Sequence, residues 1–150
     1  MTSQIEYSDR SAKVAYFCME IGTEVSVPTY SGGLGILAGD TLKSGADLGF
    51  PMVGITLLYH QGYFSQKILE YGQQKEFGTT WDPRCRLTLL PVKAEIQIEG
   101  RTVKVQAWQN LMRGVKGDLV PIYYLDTNIE ENDPLDRSNT FALYSGDNNR

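Results

Sequence analysis

The chain has 150 residues, 41% of them hydrophobic, enough for one domain with a buried core. Its net charge of −4 is spread over both signs without a lysine- or arginine-rich run, which argues against nucleic acid or an anionic membrane surface as partner. No apolar stretch approaches a membrane span, residues 1–6 lack a signal peptide's basic and apolar regions, and two cysteines without a secretory signal read as free thiols in a reducing cytoplasm.

Residues 13–20 (KVAYFCME) have the length and composition of a buried strand, with Cys18 as a small core hydrophobe; Cys85 lies in a polar-flanked segment. Residues 21–30 contain Gly22 and Pro28 and read as a loop. Gly32, Gly33 and Gly35 then lead into a segment in which Leu34, Leu37, Ala38, Leu42, Ala46 and Leu48 fall mostly at helical spacing. Asp40 and Lys43 read as first-turn and surface charges, and Gly49 with Pro51 supplies the stop. A second apolar strand follows over residues 52–59 (MVGITLLY).

Strand, glycine turn, helix and strand make a βαβ unit, whose crossover in one sheet is right-handed and parallel. Ligands of such sheets sit beyond the carboxyl ends of the strands, where this turn lies. The first amides of a helix have no partner inside it and carry the positive end of its dipole, so the turn suits phosphate or the oxygens of a sugar phosphate. The other use of two adjacent glycines is packing alone.

Tyr63 and Phe64 stand at strand positions and read as aromatic core, and His60, the single histidine, as a structural or surface residue. Residues 86–108 alternate, with Val92, Ala94, Ile96 and Ile98 on one face and Lys93, Glu95 and Gln97 on the other. Glu99-Gly100 makes a tight turn, and Val103, Val105 and Ala107 answer on the return strand of an antiparallel hairpin with one wet face. Residues 119–125 form another apolar strand, in which Pro121 points to an edge or a strand start. Residues 128–136, rich in acids and asparagine, read as loop. No cluster has metal-ligand spacing, and no nucleophile–base pair stands out.

Several blocks, taken together and in order, resemble the α-glucan (glycogen, starch and maltodextrin) phosphorylases, in their shorter bacterial and archaeal form. They are residues 16–20 (YFCME), 30–44 (YSGGLGILAGDTLKS), 47–51 (DLGFP), 61–67 (QGYFSQK), 123–128 (YYLDTN) and 143–147 (LYSGD). The resemblance covers nearly the whole chain after the first dozen residues.

What it implies is an α/β fold: the N-terminal Rossmann-like lobe of a two-lobed, GT-B type glycosyltransferase, with an antiparallel β-hairpin excursion. Residues 1–150 would be the N-terminal portion of that lobe, a piece of a longer or truncated protein, without the C-terminal cofactor lobe. The implied reaction cleaves terminal α-1,4 bonds of a glucan with inorganic phosphate and releases glucose 1-phosphate. Pyridoxal 5'-phosphate is the implied cofactor, bound in the other lobe to a lysine outside this chain. A homodimer is among the assemblies the resemblance allows. Carried over by position, Gly32 and Gly33 match the turn whose amides face the glucosyl and phosphate groups. Leu34 matches the leucine lining the glucose pocket, and Glu20 the glutamate ending the first strand near the catalytic cleft.

Two other enzyme readings are weaker. Gly33, Gly35 and Ala38 fit a G-x-G-x-x-A dinucleotide fingerprint, but the second strand ends in Leu58-Tyr59-His60-Gln61, with no carboxylate for the ribose. Nucleotide-sugar glycogen and starch synthases carry a lysine where Tyr30 stands. A non-catalytic sugar- or phosphate-binding module remains the alternative from outside enzymology.

Overall fold

The computed structural model describes residues 14–144. Lys13 of the first expected strand and Ser145, Gly146 and Asp147 of the last matched block lie outside the described residues.

Strand β1 (Val14–Phe17) leads through a long loop to helix α1 (Gly33–Leu48), which returns the chain to strand β2 (Met52–Leu57). β1 and β2 pair in parallel, Val14 opposite Met52 and Phe17 opposite Ile55, so the expected β-α-β unit is present. Strands β3 (Gln61–Ile68) and β4 (Gln74–Thr80) form a separate two-stranded antiparallel sheet. Strands β5 (Thr88–Ile98), β6 (Arg101–Arg113) and β7 (Leu119–Asp126) complete a five-stranded sheet in the order β1-β2-β7-β6-β5. The result is a mixed α/β molecule with a core that is mostly sheet. A short helix α2 (Pro134–Arg137) begins on its proline within the stretch read as loop, and a 3-10 turn at Ser138–Thr140 follows.

α1 ends where the glycine predicts. Gly49 is left-handed at φ 64, its N–H bonds to Ala46 O, and Phe50 N donates to Gly45 O at 2.8 Å. The buried face differs from the leucine pattern. Gly35, Ala38, Gly39, Leu42, Gly45 and Ala46 are buried, the first and third against the loop of residues 20–30, while Leu34, Leu37 and Leu48 are exposed. Close approach decides this. A Cβ on Gly39 would lie 1.9 Å from Gly22 O, so a larger residue there would push the helix off its loop. Leu42 fills the space over Gly54 of β2 in the core formed with Met52, Leu58, Trp108, Val120, Ile122 and Tyr124.

Other expectations change with tertiary context. β1 is a strand but largely exposed, because it is an edge strand and among the described residues nothing covers its outer side. β7 is central rather than an edge, between β2 and β6. Pro121 is tolerated because the β2 ladder begins one residue later, at Gly54 opposite Ile122. The β5–β6 turn falls on Glu99 (φ 50) and Gly100 (φ 80), the left-handed pair a two-residue hairpin demands. That hairpin extends the main sheet through β6–β7 pairing instead of leaving it as an excursion. Its buried side belongs to β6 alone: Val103, Val105 and Trp108 are buried, whereas Val92 and Ile96 on edge strand β5 are exposed. The hairpin β3–β4 had no alternation to announce it. Tyr63 and Phe64 are exposed on it instead of forming core.

Candidate functional site

β1, β2 and β7 run parallel, and their carboxyl ends open on one side of the sheet. A cavity of about 270 Å3 lies there, lined by Phe17, Cys18, Met19, Ile55, Thr56, Leu57 and Leu125. Cys18 is half-buried beside the core and in the cavity wall, less enclosed than its strand pattern implies. Phe17 and Met19 are exposed. Thr56 Oγ1 is buried without a hydrogen-bond partner among the described residues.

Just past β1, Glu20 is 2% exposed. A buried carboxylate must be hydrogen-bonded to be tolerated. Its Oε2 accepts the Ser31 N–H at 2.7 Å, and its Oε1 accepts the Tyr144 hydroxyl at 2.5 Å. The first bond ties the end of β1 to the residue before the glycine pair. Gly35 fits beside it because a Cβ there would meet Tyr30 Cβ at 2.5 Å and Glu20 Oε2 at 3.0 Å. Gly22 N donates to Gly35 O at 2.8 Å, so loop and helix start are locked together.

Gly32 is the N-cap of α1, at φ −149 and ψ −150, with no side-chain cap. The first internal helical bond is Ile36 N to Gly32 O at 3.2 Å, so the N–H groups of Gly33, Leu34 and Gly35 have no partner within the helix. Gly32, Gly33 and Leu34 are exposed, and a Cβ on either glycine would meet nothing within 4 Å. Neither glycine has a positive φ, so the backbone does not require glycine here. What the absent side chains leave is open space above donors that have no partner among the described residues. Glu20 and the glycine turn are therefore brought together, and Leu34 stands exposed at the second helical position.

The chain's C-terminal described segment completes the surroundings. His60 N donates to Thr140 O, Gln61 N to Phe141 O and Leu143 N to Gln61 O, which carries Tyr144 to Glu20. Tyr144 meets Tyr63 edge-on at 6.0 Å, and Tyr63 packs on Phe64 at 4.3 Å. The hydrogen bond to Glu20 pushes the Tyr144 phenol up, and burial, helped by Glu20, does the same to Tyr59.

A second polar cluster sits at the end of β7. Asp126 is fully buried and accepts from His60 Nε2 (3.0 Å), Gln106 Nε2 (2.8 Å), Trp108 Nε1 (3.2 Å), Asn128 N (2.8 Å) and Thr140 Oγ1 (3.1 Å). Burial alone pushes its carboxyl up, but hydrogen bonds from His60, Gln106 and Asn128 outweigh that and hold it at about 2. His60 thus has the structural role expected of it. Tyr144 and Asp126 each stand in a block that carries the family resemblance, but nothing in the sequence showed their pairing, since partners lie as far as 124 residues away.

Among the described residues no group of histidine, cysteine and acidic side chains could hold a metal ion, and no helix is long and apolar enough to cross a membrane.

A family profile described as carbohydrate phosphorylase matches residues 22–148. Maltodextrin phosphorylase of Thermococcus litoralis is 41% identical over 141 residues, covering 89% of this chain and 16% of that protein. Glycogen phosphorylase of Mycobacterium tuberculosis is 39% identical over 142 residues, with 89% and 16% covered. Glycogen phosphorylase of Aquifex aeolicus is 35% identical over 154 residues, with 98% and 22% covered. The chain thus spans between 16% and 22% of the length of these relatives.

Proposed function

Because the chain belongs to the carbohydrate phosphorylase family, we propose that it is the N-terminal part of the Rossmann-like lobe of a two-lobed, GT-B type α-glucan phosphorylase. The whole enzyme would transfer the terminal glucosyl unit of an α-1,4-glucan to inorganic phosphate and release glucose 1-phosphate. Its setting would be the cytoplasm, where Cys18 and Cys85 stay free thiols. The observation that carries the reading is the placement of the uncapped glycine turn beside buried Glu20, at the carboxyl ends of parallel strands.

In this reading Gly33 and Leu34 N–H groups hold the phosphate or glucosyl oxygens. A dianion must be fixed in place for transfer, and helix-terminus amides do this without exchanging a proton. Gly32 and Gly33 leave the room for that approach, and Leu34 offers the sugar an apolar neighbour. Enclosure of the site against water, which would otherwise take the glucosyl unit, requires the opposite lobe.

Pyridoxal phosphate belongs to that other lobe. No described lysine is buried or lines the cavity; Lys43 bonds Asp47, Lys93 bonds Glu131, and Lys67 and Lys75 lie over Phe77. The described residues therefore offer no buried amine for a Schiff base, and no step here runs through the cofactor.

The test is ligand-dependent stability of the polypeptide that carries this chain with its flanking sequence. Glucose 1-phosphate should raise its melting temperature, NAD and NADP should not, and maltoheptaose with phosphate should yield glucose 1-phosphate. Stabilisation by sugar phosphate without turnover would mark a binding module. A saturable nicotinamide-nucleotide response with none to sugar phosphate would overturn the reading.

A further inference from the structure

Tyr144 is held in an unfavourable backbone conformation. Its φ of 54 places a bulky aromatic residue in the left-handed region, which such residues rarely occupy. Two contacts hold it there: the 2.5 Å hydrogen bond to Glu20 Oε1 and the edge-on ring of Tyr63. Glu20 in turn spends its second oxygen on the Ser31 N–H. Both carboxylate oxygens thus have protein donors, and the carboxylate is enclosed. Such a group bridges elements.

The bridge matters because, among the described residues, it is the side-chain anchor of the turn, beside the backbone bond from Gly22 N to Gly35 O. Gly32 caps α1 without a side chain, and a glycine pair has more backbone freedom than any other. Charge-assisted bonds are the strong, directional ones, and Ser31 lies one residue before the cap. Removing the phenol hydroxyl would leave Oε1 unpaired in an enclosed site and let the carboxylate rotate.

We propose that Tyr144 is a positioning residue: its hydroxyl fixes the Glu20 carboxylate, which fixes Ser31 and so aims the Gly33 and Leu34 N–H groups at the ligand. It rests on the preceding reading of the turn for the ligand, and on the geometry alone for the coupling. Through Tyr63, the same tyrosine links the β3–β4 hairpin to the glycine turn, elements that share no sheet.

Amide hydrogen exchange on the polypeptide that carries this chain with its flanking sequence tests this, read over the peptide spanning residues 30–36 with and without glucose 1-phosphate. Tyr144→Phe keeps the ring against Tyr63 and removes only the hydroxyl. It should speed exchange of that peptide about fivefold, with the rest of the chain unchanged. Glu20→Gln, which weakens the same bridge, should act at the same place. Tyr63→Leu keeps the hydroxyl and removes only the ring contact, so it should speed exchange of the peptide less than Tyr144→Phe does. Wild-type exchange in either bridge variant, or acceleration spread evenly over the chain, overturns the proposal. Absence of protection by glucose 1-phosphate in the wild type sinks the ligand reading instead, while the comparison of variants still decides the coupling.

Discussion

Gly33 and Gly39 stand in the same helix and face opposite surroundings. Open space lies above Gly33, so Gly33→Ala in the longer polypeptide should leave stability unchanged or raise it by up to about 1 kcal/mol. The added methyl would nevertheless crowd the amides, and stabilisation by glucose 1-phosphate should fall steeply. Melts with and without that ligand read both effects, and an undiminished ligand response would remove the turn from the binding site. Gly39→Ala should do the reverse, costing about 2–3 kcal/mol through the clash with Gly22 O. Asp126 makes a pH prediction. Its folded-state carboxyl, at about 2, lies below that of an unfolded aspartate near 3.9, so it stabilises the fold above the unfolded value. That contribution is lost as pH falls from about 4 through about 2. In Asp126→Asn, urea midpoints should fall by an amount equivalent to about 2 kcal/mol at neutral pH and flatten across that acid range. An acid limb as steep as the wild type's would place the titrating group elsewhere.

Among the elements, α1 shows what periodicity reveals and what it hides. Its start, its stop and its place between two parallel strands were all legible: the glycine cluster, Gly49 with Pro51, and two short apolar runs mark them locally. The face it buries was legible only in part: Ala38, Leu42 and Ala46 of the periodic set are buried, whereas Leu34, Leu37 and Leu48 are exposed. Leucines dominate a hydrophobicity pattern, but the distance between α1 and the loop at Gly22 admits only small residues, and that distance is set by parts of the chain far from the helix. Leu42 is the large side chain that does go in, against Gly54. Leu42→Ala should therefore cost about 3 kcal/mol in denaturant unfolding, while Leu37→Ala, at an exposed site, should stay within about 0.5 kcal/mol. Equal effects would mean that the leucine face is the packed one. β3–β4 escaped the sequence reading for a related reason. Both faces are wet, so no alternation separates it from loop, and it becomes visible only by its pairing.

At the scale of the whole molecule, the described residues leave much apolar surface in water. Phe17 is 72% exposed at the cavity mouth, and Val92 and Ile96 lie open on edge strand β5. Unpaired edges and apolar patches of this kind drive association. The purified 150-residue chain should therefore associate with rising concentration in sedimentation velocity, and Phe17→Lys should reduce that without lowering the melting temperature. A monomer at all concentrations would show that this face is covered. The same chain should form no glucose 1-phosphate from maltoheptaose and phosphate, since it spans only about a sixth of its phosphorylase relatives. Turnover by the isolated chain would mean that the second lobe is dispensable.

By itself the sequence determined what depends on neighbours along the chain: the β-α-β order, the glycine turn and its helix, the hairpin turn at Glu99-Gly100, and the family, because ordered motif blocks are local text. Tertiary structure alone decided what depends on partners far apart. It placed β7 at the centre of the sheet, turned the small residues of α1 inward, and left β1 and β5 as exposed edges. It also closed Glu20 between Ser31 and Tyr144 and Asp126 among its five donors. A hydrogen bond between residues 124 positions apart leaves no trace in spacing or periodicity, since only the folded path of the chain sets its length and direction.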